Sequence, residues 1–190
     1  MKGLTICIGS KSGVGKSTQI SNLIKLHPNK YNYIKSKTTR RPRNVEDLET
    51  HTFGYTVNDF IKLNKSDIMA EYFSPKGYIH WVDIDMFSND KINLYAIDFD
   101  KNGSGYPEFK KKYGGRIIAI YLELDENIRK NRVIERDGFY QDEPNLELDK
   151  STFPEVHIID TTGKDIETIS IEIETIIDKE VEKYVSNSIS

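Results

Sequence analysis

The sequence of 190 residues has a single cysteine, nearly balanced charge and no long apolar run. The lone cysteine, Cys7, excludes an intramolecular disulfide and a zinc site built from several thiolates. Lys and Arg number 27 against 30 Asp and Glu, a net charge of −3, so no bulk positive field exists to hold nucleic acid or anionic lipid. No stretch approaches the ~20 apolar residues of a membrane span, and the run after Lys2 is too short for a signal peptide. These absences predict a soluble, cytoplasmic protein with neither nucleic acid nor a membrane as its partner.

What the sequence does contain is an alternation of apolar runs with polar, glycine-bearing connections. The apolar runs predict strands over residues 4–8, 31–35, 92–98, 117–124 and 156–159. Helical spacing of apolar residues predicts one helix over Ser17–Leu26 and a last helix from about Lys164. Cys7 lies inside the first run, which predicts a buried side chain rather than a reactive thiol. The alternation as a whole predicts an α/β fold, a parallel five-stranded sheet with flanking helices.

Two segments do not follow this alternation of apolar runs and polar connections. Residues 36–88 carry short alternating runs, which predict an inserted, antiparallel-rich lobe with strands over Thr52–Val57, Ile68–Phe73 and Tyr78–Val82. Residues 138–150 are acidic, contain proline and lack periodicity, which predicts a short lid. The remaining residues, 1–35, 89–137 and 151–190, then form the predicted core domain.

The segment between the first strand and the first helix predicts a phosphate-binding loop. Gly13 and Gly15 allow backbone amides to turn towards an anion at a helix N-terminus. Lys16 would reach the β and γ phosphates, and the Ser17 hydroxyl would ligate Mg²⁺. The first glycine of the common pattern is replaced by Ser10. The predicted ligand is a nucleoside triphosphate with Mg²⁺, and the predicted binding residues are Ser12, Gly13, Val14, Gly15, Lys16, Ser17 and Thr18.

A second basic cluster, Ser36–Arg43, follows the second predicted strand. Its arginines offer planar forks that suit the oxygens of a phosphate monoester. The same cluster is also compatible with an ordinary solvated turn.

The loop Ser10–Thr18 and the segment Thr38-Thr39-Arg40-Arg41-Pro42-Arg43 together resemble the guanylate kinase family, from Leu4 to about Thr162. The resemblance implies a P-loop kinase that moves the γ-phosphoryl group of ATP to GMP or dGMP with Mg²⁺, acting on small nucleotides as a monomer or homodimer. The implied roles are as follows: Arg40, Arg43 and Tyr78 hold the acceptor phosphate, Ser36 and Glu71 contact guanine, and Asp98 and Asp100 orient the base side and the arginines. Asp98 could also hold Mg²⁺ through water.

Two histidines depart from the family pattern. His51 stands where the family has a second phosphate-binding tyrosine, and His80, followed by Trp81, stands where it has a small serine. Imidazole can donate to phosphate, so His51 remains an expected acceptor-binding residue. The bulkier side chains are expected near the base or ribose, which leaves another or a modified (deoxy)nucleoside monophosphate open as the acceptor.

The segment after the fourth strand carries Arg129, Arg132 and Arg136 at spacings that predict one basic stripe on a helix. The resemblance implies that Arg132 and Arg136 contact the transferring phosphate. The sequence lacks the further lid arginine that the family usually has. The predicted catalytic residues are Lys16, Arg40, Arg132 and Arg136. A non-catalytic binding module of the same family is the alternative, although such modules typically lose the phosphate loop.

Overall fold

A computed structural model describes residues 3–43, 45, 47–74, 77–99, 105–142 and 147–189. The predicted site residue Asp100 and residues 143–146 of the predicted lid lie outside the described residues. The strands are β1 (Thr5–Gly9), β2 (Tyr31–Ile34), β3 (Ser36–Thr38), β4 (His51–Thr52), β5 (Ile68–Phe73), β6 (Ile79–Asp83), β7 (Ile92–Ala96), β8 (Ile117–Glu123) and β9 (His157–Asp160). The helices are α1 (Lys16–Leu26), α2 (Asp47–Thr50), α3 (Val57–Ile61), α4 (Tyr106–Lys112), α5 (Glu126–Asp137) and α6 (Ile166–Ile189), with a 3₁₀ turn at Ile84–Met86.

The larger sheet has the strand order β2-β7-β1-β8-β9, and every neighbouring pair in it is parallel. Its five strands match the five predicted runs, which confirms the predicted fold class. The central strand β1 is buried along its whole length, because a parallel sheet is covered on both faces. Burial raises the pKa of the Cys7 thiol well above its ordinary value, as expected for a cysteine that packs rather than reacts.

Helices cover both faces of this sheet. On one face, Ile20 and Leu23 of α1 pack with Ile169, Ile173 and Ile177 of α6 in one buried cluster. On the other face, α4 adds its aromatic side chains to a second cluster. Within the described ranges, no helix is long and apolar enough to cross a membrane.

The inserted lobe is a four-stranded sheet of order β4-β3-β6-β5. The pairs β3–β6 and β5–β6 are antiparallel, and only β3–β4 is parallel. Its own core consists of Phe60, Ile68, Ile79 and Trp81. Trp81 is therefore not beside the acceptor base, as its position next to His80 had suggested, because alternation along β6 points it into the lobe core.

The predicted strand Thr52–Val57 is wrong. Only His51 and Thr52 pair with β3, and the chain then turns into α3. Thr56 and Asp59 form a reciprocal capping box at the start of this helix, with Thr56 N donating to Asp59 Oδ2 at 2.7 Å and Asp59 N donating to Thr56 Oγ1 at 3.2 Å. The cap satisfies the backbone amides of Thr56 and Asp59 within the helix start, and this local pairing outweighs the weak alternation.

Candidate active site

A cleft of about 1270 Å³ lies between the phosphate loop, the lobe sheet and the chain that follows β7. It opens at the carboxyl ends of parallel strands, where α/β proteins hold their ligands. The predicted site residues that line it are Ser12, Gly13, Gly15, Lys16, Ser17, Thr18, Ser36, Arg40, Arg43, His51, Glu71, Tyr78, Asp98, Arg132 and Arg136. Val14 does not line the cleft, because its side chain is buried in the core below the loop.

The phosphate loop enters α1 with an open N-terminus. Gly15 occupies the N-cap with φ 115° and supplies no side-chain cap, and a Cβ built on it would meet nothing within 4 Å. Gly13 has φ 87°, and a Cβ there would come within 2.7 Å of Val133 Cγ2. Uncapped amides at the start of an 11-residue helix, next to empty space, form a cradle for an anion.

Lys16 lies at the floor of this cradle and is already held by the chain. Its Nζ donates to the Ser10 carbonyl oxygen at 2.9 Å and to Asp98 Oδ1 at 3.2 Å. Asp98 follows β7, so this ion pair links the two strand ends that border the cleft. The Ser17 hydroxyl and the Asp98 carboxylate provide the oxygen ligands that Mg²⁺ takes from proteins when phosphates supply the rest, so the donor set fits this ion.

Arg40 and Arg43 converge on one carboxylate, that of Asp47. Arg40 donates to both oxygens, at 2.6 and 3.1 Å, and Arg43 donates through its backbone amide at 2.7 Å and through its guanidinium at 3.0 and 3.2 Å. Burial alone would raise the pKa of Asp47, but the hydrogen bonds from both arginines outweigh it and hold the pKa well below its usual range. The two guanidinium groups are thus arranged as a pair around one anionic group, and Asp47 was not predicted from the sequence.

Two imidazoles stand beside this arginine pair. The His51 and His80 ring centroids lie 5.6 Å apart in an edge-to-face arrangement. Burial, followed by the charge of Arg40, lowers the pKa of His51 to about 3 and that of His80 to about 4. His80 lies on the cleft face of β6, where sequence comparison with the family placed it, but Trp81 does not accompany it.

The pairing register of the lobe sheet separates Glu71 from His80. Glu71 is opposite Trp81 and Tyr72 is opposite His80, and successive side chains of a strand point to opposite faces. The cleft face therefore carries Tyr72 and His80, whereas Glu71, although it borders the cleft, shares the face of Trp81. The pairing register of β5 and β6 shifts between Ile68 and Ala70, and no sequence pattern predicts this irregularity.

Helix α5 places its three arginines in different surroundings. Arg129 is 1% exposed and donates to Glu126 at 2.7 and 2.8 Å and to the Ser12 carbonyl oxygen at 3.0 Å. It therefore braces the phosphate loop, and the expectation of a shared surface stripe is wrong for this residue. Arg136 donates to Ser12 Oγ at 2.8 Å and pairs with Asp137, whereas Arg132 is exposed at the edge of the cleft.

The parallel sheet, the glycine loop that opens α1 and the arginine-lined cleft define a P-loop kinase fold. A solved structure of a guanylate kinase from Anaplasma phagocytophilum shares this fold, with a TM-score of 0.60 and 19% identity, covering 94% of this chain and 86% of that chain. No family model matches the sequence.

Seven curated relatives match, and all are guanylate kinases. The protein of Campylobacter jejuni is 26% identical over 137 residues, which cover 72% of this chain and 67% of the relative. The protein of Rhizobium meliloti is 27% identical over 121 residues, which cover 64% of this chain and 55% of the relative. The chain thus spans between about half and two thirds of the length of these two relatives. Together with the shared fold, the matches confirm the resemblance and support a P-loop kinase of the guanylate kinase family.

Proposed function

We propose that the protein is a nucleoside monophosphate kinase that moves the γ-phosphoryl group of ATP to GMP or dGMP, giving ADP and GDP or dGDP. The observation that carries this proposal is the sharing of one cleft by two phosphate-binding devices, the glycine loop with Lys16 and the pair Arg40 and Arg43. A nucleotide hydrolase needs only the first device. The second suits a phosphate monoester, and its presence supports transfer between two nucleotides.

The donor phosphates would lie on the first-turn amides of α1, with Lys16 neutralising the charge of the β and γ phosphates. Lys16 must then exchange its contact with Asp98 for the nucleotide, which frees the Asp98 carboxylate for a metal-bound water. Mg²⁺, when bound, would neutralise charge on the donor phosphates, with Ser17 as its protein ligand. Arg132 is placed at the edge of the cleft, where its guanidinium can approach the transferring group.

The acceptor phosphate would take the place that the Asp47 carboxylate now holds between Arg40 and Arg43. Tyr78 borders the same cleft and is 40% exposed, so its hydroxyl is accessible to an incoming phosphate. A monophosphate oxygen is anionic near neutral pH, so this transfer depends on positioning rather than on a general base. Ser36 also lines the cleft, and it would contact the base of the acceptor.

A second acceptor class is favoured by the register of the lobe sheet. Tyr72 and His80, rather than Glu71, occupy the sheet face towards the cleft. A ring pair of this kind can stack on or hydrogen-bond to a base without the carboxylate that selects guanine. Another or a modified (deoxy)nucleoside monophosphate is therefore the alternative acceptor.

The proposal is tested by ADP release from ATP and Mg²⁺ with a panel of ribo- and deoxynucleoside monophosphates. We expect the highest kcat/KM with GMP or dGMP, while a preference for AMP or a pyrimidine nucleotide would select the alternative. Lys16→Ala should lower kcat by about 10²–10³-fold, since it removes one charge from the transition state. Lys25→Ala, an exposed lysine in the last turn of the same helix, is the matched control and should retain full activity. Absence of turnover with every acceptor would instead favour a binding module.

A further inference from the structure

Tyr33 brings a buried hydroxyl to the cleft. Its side chain lines the cleft, and its hydroxyl oxygen is shielded from solvent with no hydrogen-bond partner among the residues that the structure describes. Buried polar groups are almost always hydrogen-bonded, because an unpaired one has given up its contact with water for nothing in return. The orphan hydroxyl is explained if it acquires a partner when a ligand enters the cleft.

The fold carries Tyr33 towards the first turn of α1. β1 and β2 run in the same direction in the sheet, and α1 runs back from the end of β1, so the carboxyl end of β2 lies on the side of the helix N-terminus. Tyr31 and Tyr33 both pack in the cluster that α1 and α6 cover. The Tyr31 ring lies near the other end of α1, with its centroid 6.2 Å from that of His27. Tyr33, two residues further along β2, is therefore closer to the phosphate loop.

Ser17, in the first turn of α1, is a polar neighbour of Tyr33. Burial raises the pKa of Tyr33 to about 12, and the nearby Ser17 hydroxyl offsets part of this rise. Tyr33 therefore keeps its proton near neutral pH and can donate it. Both side chains line the cleft, but their hydroxyl groups do not reach hydrogen-bond geometry in the free protein.

A serine that binds a metal ion benefits from a second partner. Its hydroxyl has one proton and two lone pairs, and the metal takes one of the lone pairs. The other lone pair can accept from a neighbouring donor, and such a partner fixes the direction of the ligand oxygen. Tyr33 is a donor of this kind beside Ser17, whose hydroxyl belongs to the donor set that fits Mg²⁺.

We propose that Tyr33 is a positioning residue for Ser17, and that its hydroxyl donates to Ser17 Oγ when a nucleoside triphosphate binds with Mg²⁺. The contact orients the serine towards the ion and pairs the orphan hydroxyl. The inference rests on the donor half of the proposed function. It implies that the free protein contains an unpaired polar group whose partner becomes available only in the loaded state.

Tyr31 provides a matched contrast on the same strand. It is 2% exposed, and its hydroxyl donates to Glu174 Oε1 at 2.7 Å. Tyr31→Phe removes a hydrogen bond that is already formed, so it should lower the Tm of the free protein. Tyr33→Phe removes a hydroxyl that has no partner there, so it should leave that Tm unchanged or raise it.

The test is a calorimetric titration of ATP into the wild type, Tyr33→Phe and Tyr31→Phe, in Mg²⁺ and in EDTA. Tyr33→Phe should weaken binding of ATP with Mg²⁺ by about 10-fold, as expected for the loss of a group that orients a metal ligand. In EDTA its affinity for ATP should equal that of the wild type. Tyr31→Phe should match the wild type in both media.

Two results of this titration contradict the proposal. If Tyr33→Phe binds ATP with Mg²⁺ as tightly as the wild type does, the hydroxyl has no positioning role. If the variant loses the same affinity in both media, the hydroxyl contacts the nucleotide itself rather than Ser17. A Tm of free Tyr33→Phe that falls as far as that of Tyr31→Phe would also overturn the proposal, because the hydroxyl would then be paired before the ligand binds.

A double-mutant cycle tests whether Tyr33 acts through Ser17. Ser17→Ala should itself weaken binding of ATP with Mg²⁺, and adding Tyr33→Phe to it should cause no further loss. Losses that simply add would show that the two hydroxyl groups act independently, and the assignment would be wrong.

ATP binding is measured separately from transfer to an acceptor, so the two proposals can fail separately. If ATP binds with the expected differences but no nucleoside monophosphate is phosphorylated, the proposed function fails and the role of Tyr33 stands. If GMP or dGMP is phosphorylated but Tyr33→Phe binds ATP like the wild type in both media, only the role of Tyr33 fails. A wild type whose affinity for ATP does not increase with Mg²⁺ would overturn that role directly.

Discussion

Replacing Asp47 by asparagine tests whether the arginine pair depends on a buried carboxylate. Asp47 is 6% exposed and accepts hydrogen bonds from Arg40 and Arg43, whereas Arg43 is half exposed and can regain water. Hydrogen bonds to charged groups contribute about 1.5–3 kcal/mol, and we expect Asp47→Asn to lower the free energy of unfolding by that amount. For a chain of this size the loss corresponds to a fall in Tm of about 3–12 °C.

The depressed pKa of Asp47 predicts the direction in which pH changes the stability of the wild type and of Asp47→Asn. The folded-state pKa of Asp47 is depressed, so its stabilisation is fully present above the unfolded-state pKa of about 3.9 and is lost as pH falls towards the folded-state value. Asp47→Asn should therefore remove part of the acid destabilisation of the wild type. GMP supplies a replacement anion and should raise the Tm of the variant more than that of the wild type.

Thermal unfolding followed by circular dichroism, with and without GMP and at several pH values, measures these effects. Asp90→Asn, an exposed acid of the chain before β7, is the matched control and should change the Tm little. If Asp47→Asn has the same Tm as Asp90→Asn and loses the same stability at acid pH, the reasoning is refuted.

Substitution of two arginines of α5 should affect different quantities, the stability for Arg129 and kcat for Arg132. Arg129→Met removes the buried guanidinium that holds Glu126 and the Ser12 carbonyl, so we expect a loss of about 1.5–3 kcal/mol in a denaturant titration and a higher KM for ATP. An unchanged midpoint would show that the phosphate loop is held without this brace. Arg132→Ala removes an exposed cation at the edge of the cleft, so steady-state kinetics should show a lower kcat, by roughly 10-fold or more, with an unchanged unfolding curve. An equal loss of stability in Arg132→Ala would assign it a structural role instead.

The sheet and the phosphate loop could be read from the sequence because local chemistry determines them. A strand buried on both faces requires a continuous apolar run, as in β1, and a glycine is required where φ is 87° at Gly13. The lobe was predicted in part, because the runs Ile68–Phe73 and Tyr78–Val82 correspond to β5 and β6 whereas the run Thr52–Val57 does not form a strand. There the capping box of Thr56 and Asp59 decided in favour of a helix at a position where alternation suggested a strand.

The site residues divide in the same way. Lys16, Arg40 and Arg43 were predicted from motifs, and the structure brings them to one cleft. The partnership of Asp47 with the arginines was missed, although an acid four residues after Arg43 was a usable signal. The face on which Glu71 lies was not predicted, because it depends on a pairing register that shifts between Ile68 and Ala70, whereas the burial of Trp81 follows from alternation along β6. Spacing alone did not distinguish Arg129 from Arg132, because burial of the former depends on Glu126 and on the phosphate loop, which are contacts of the folded chain.

The Asp47 carboxylate also competes with any incoming anion for the guanidinium groups of Arg40 and Arg43. Any anion that enters must bind the two guanidinium groups more strongly than a carboxylate that is already tethered and desolvated there. Chloride carries one charge and has no forked geometry, so we expect it to displace the carboxylate less readily than a phosphate dianion, which offers three oxygens and twice the charge. We therefore expect the tethered acid to make the arginine pair favour doubly charged anions with several oxygens, before any contact with a base is made.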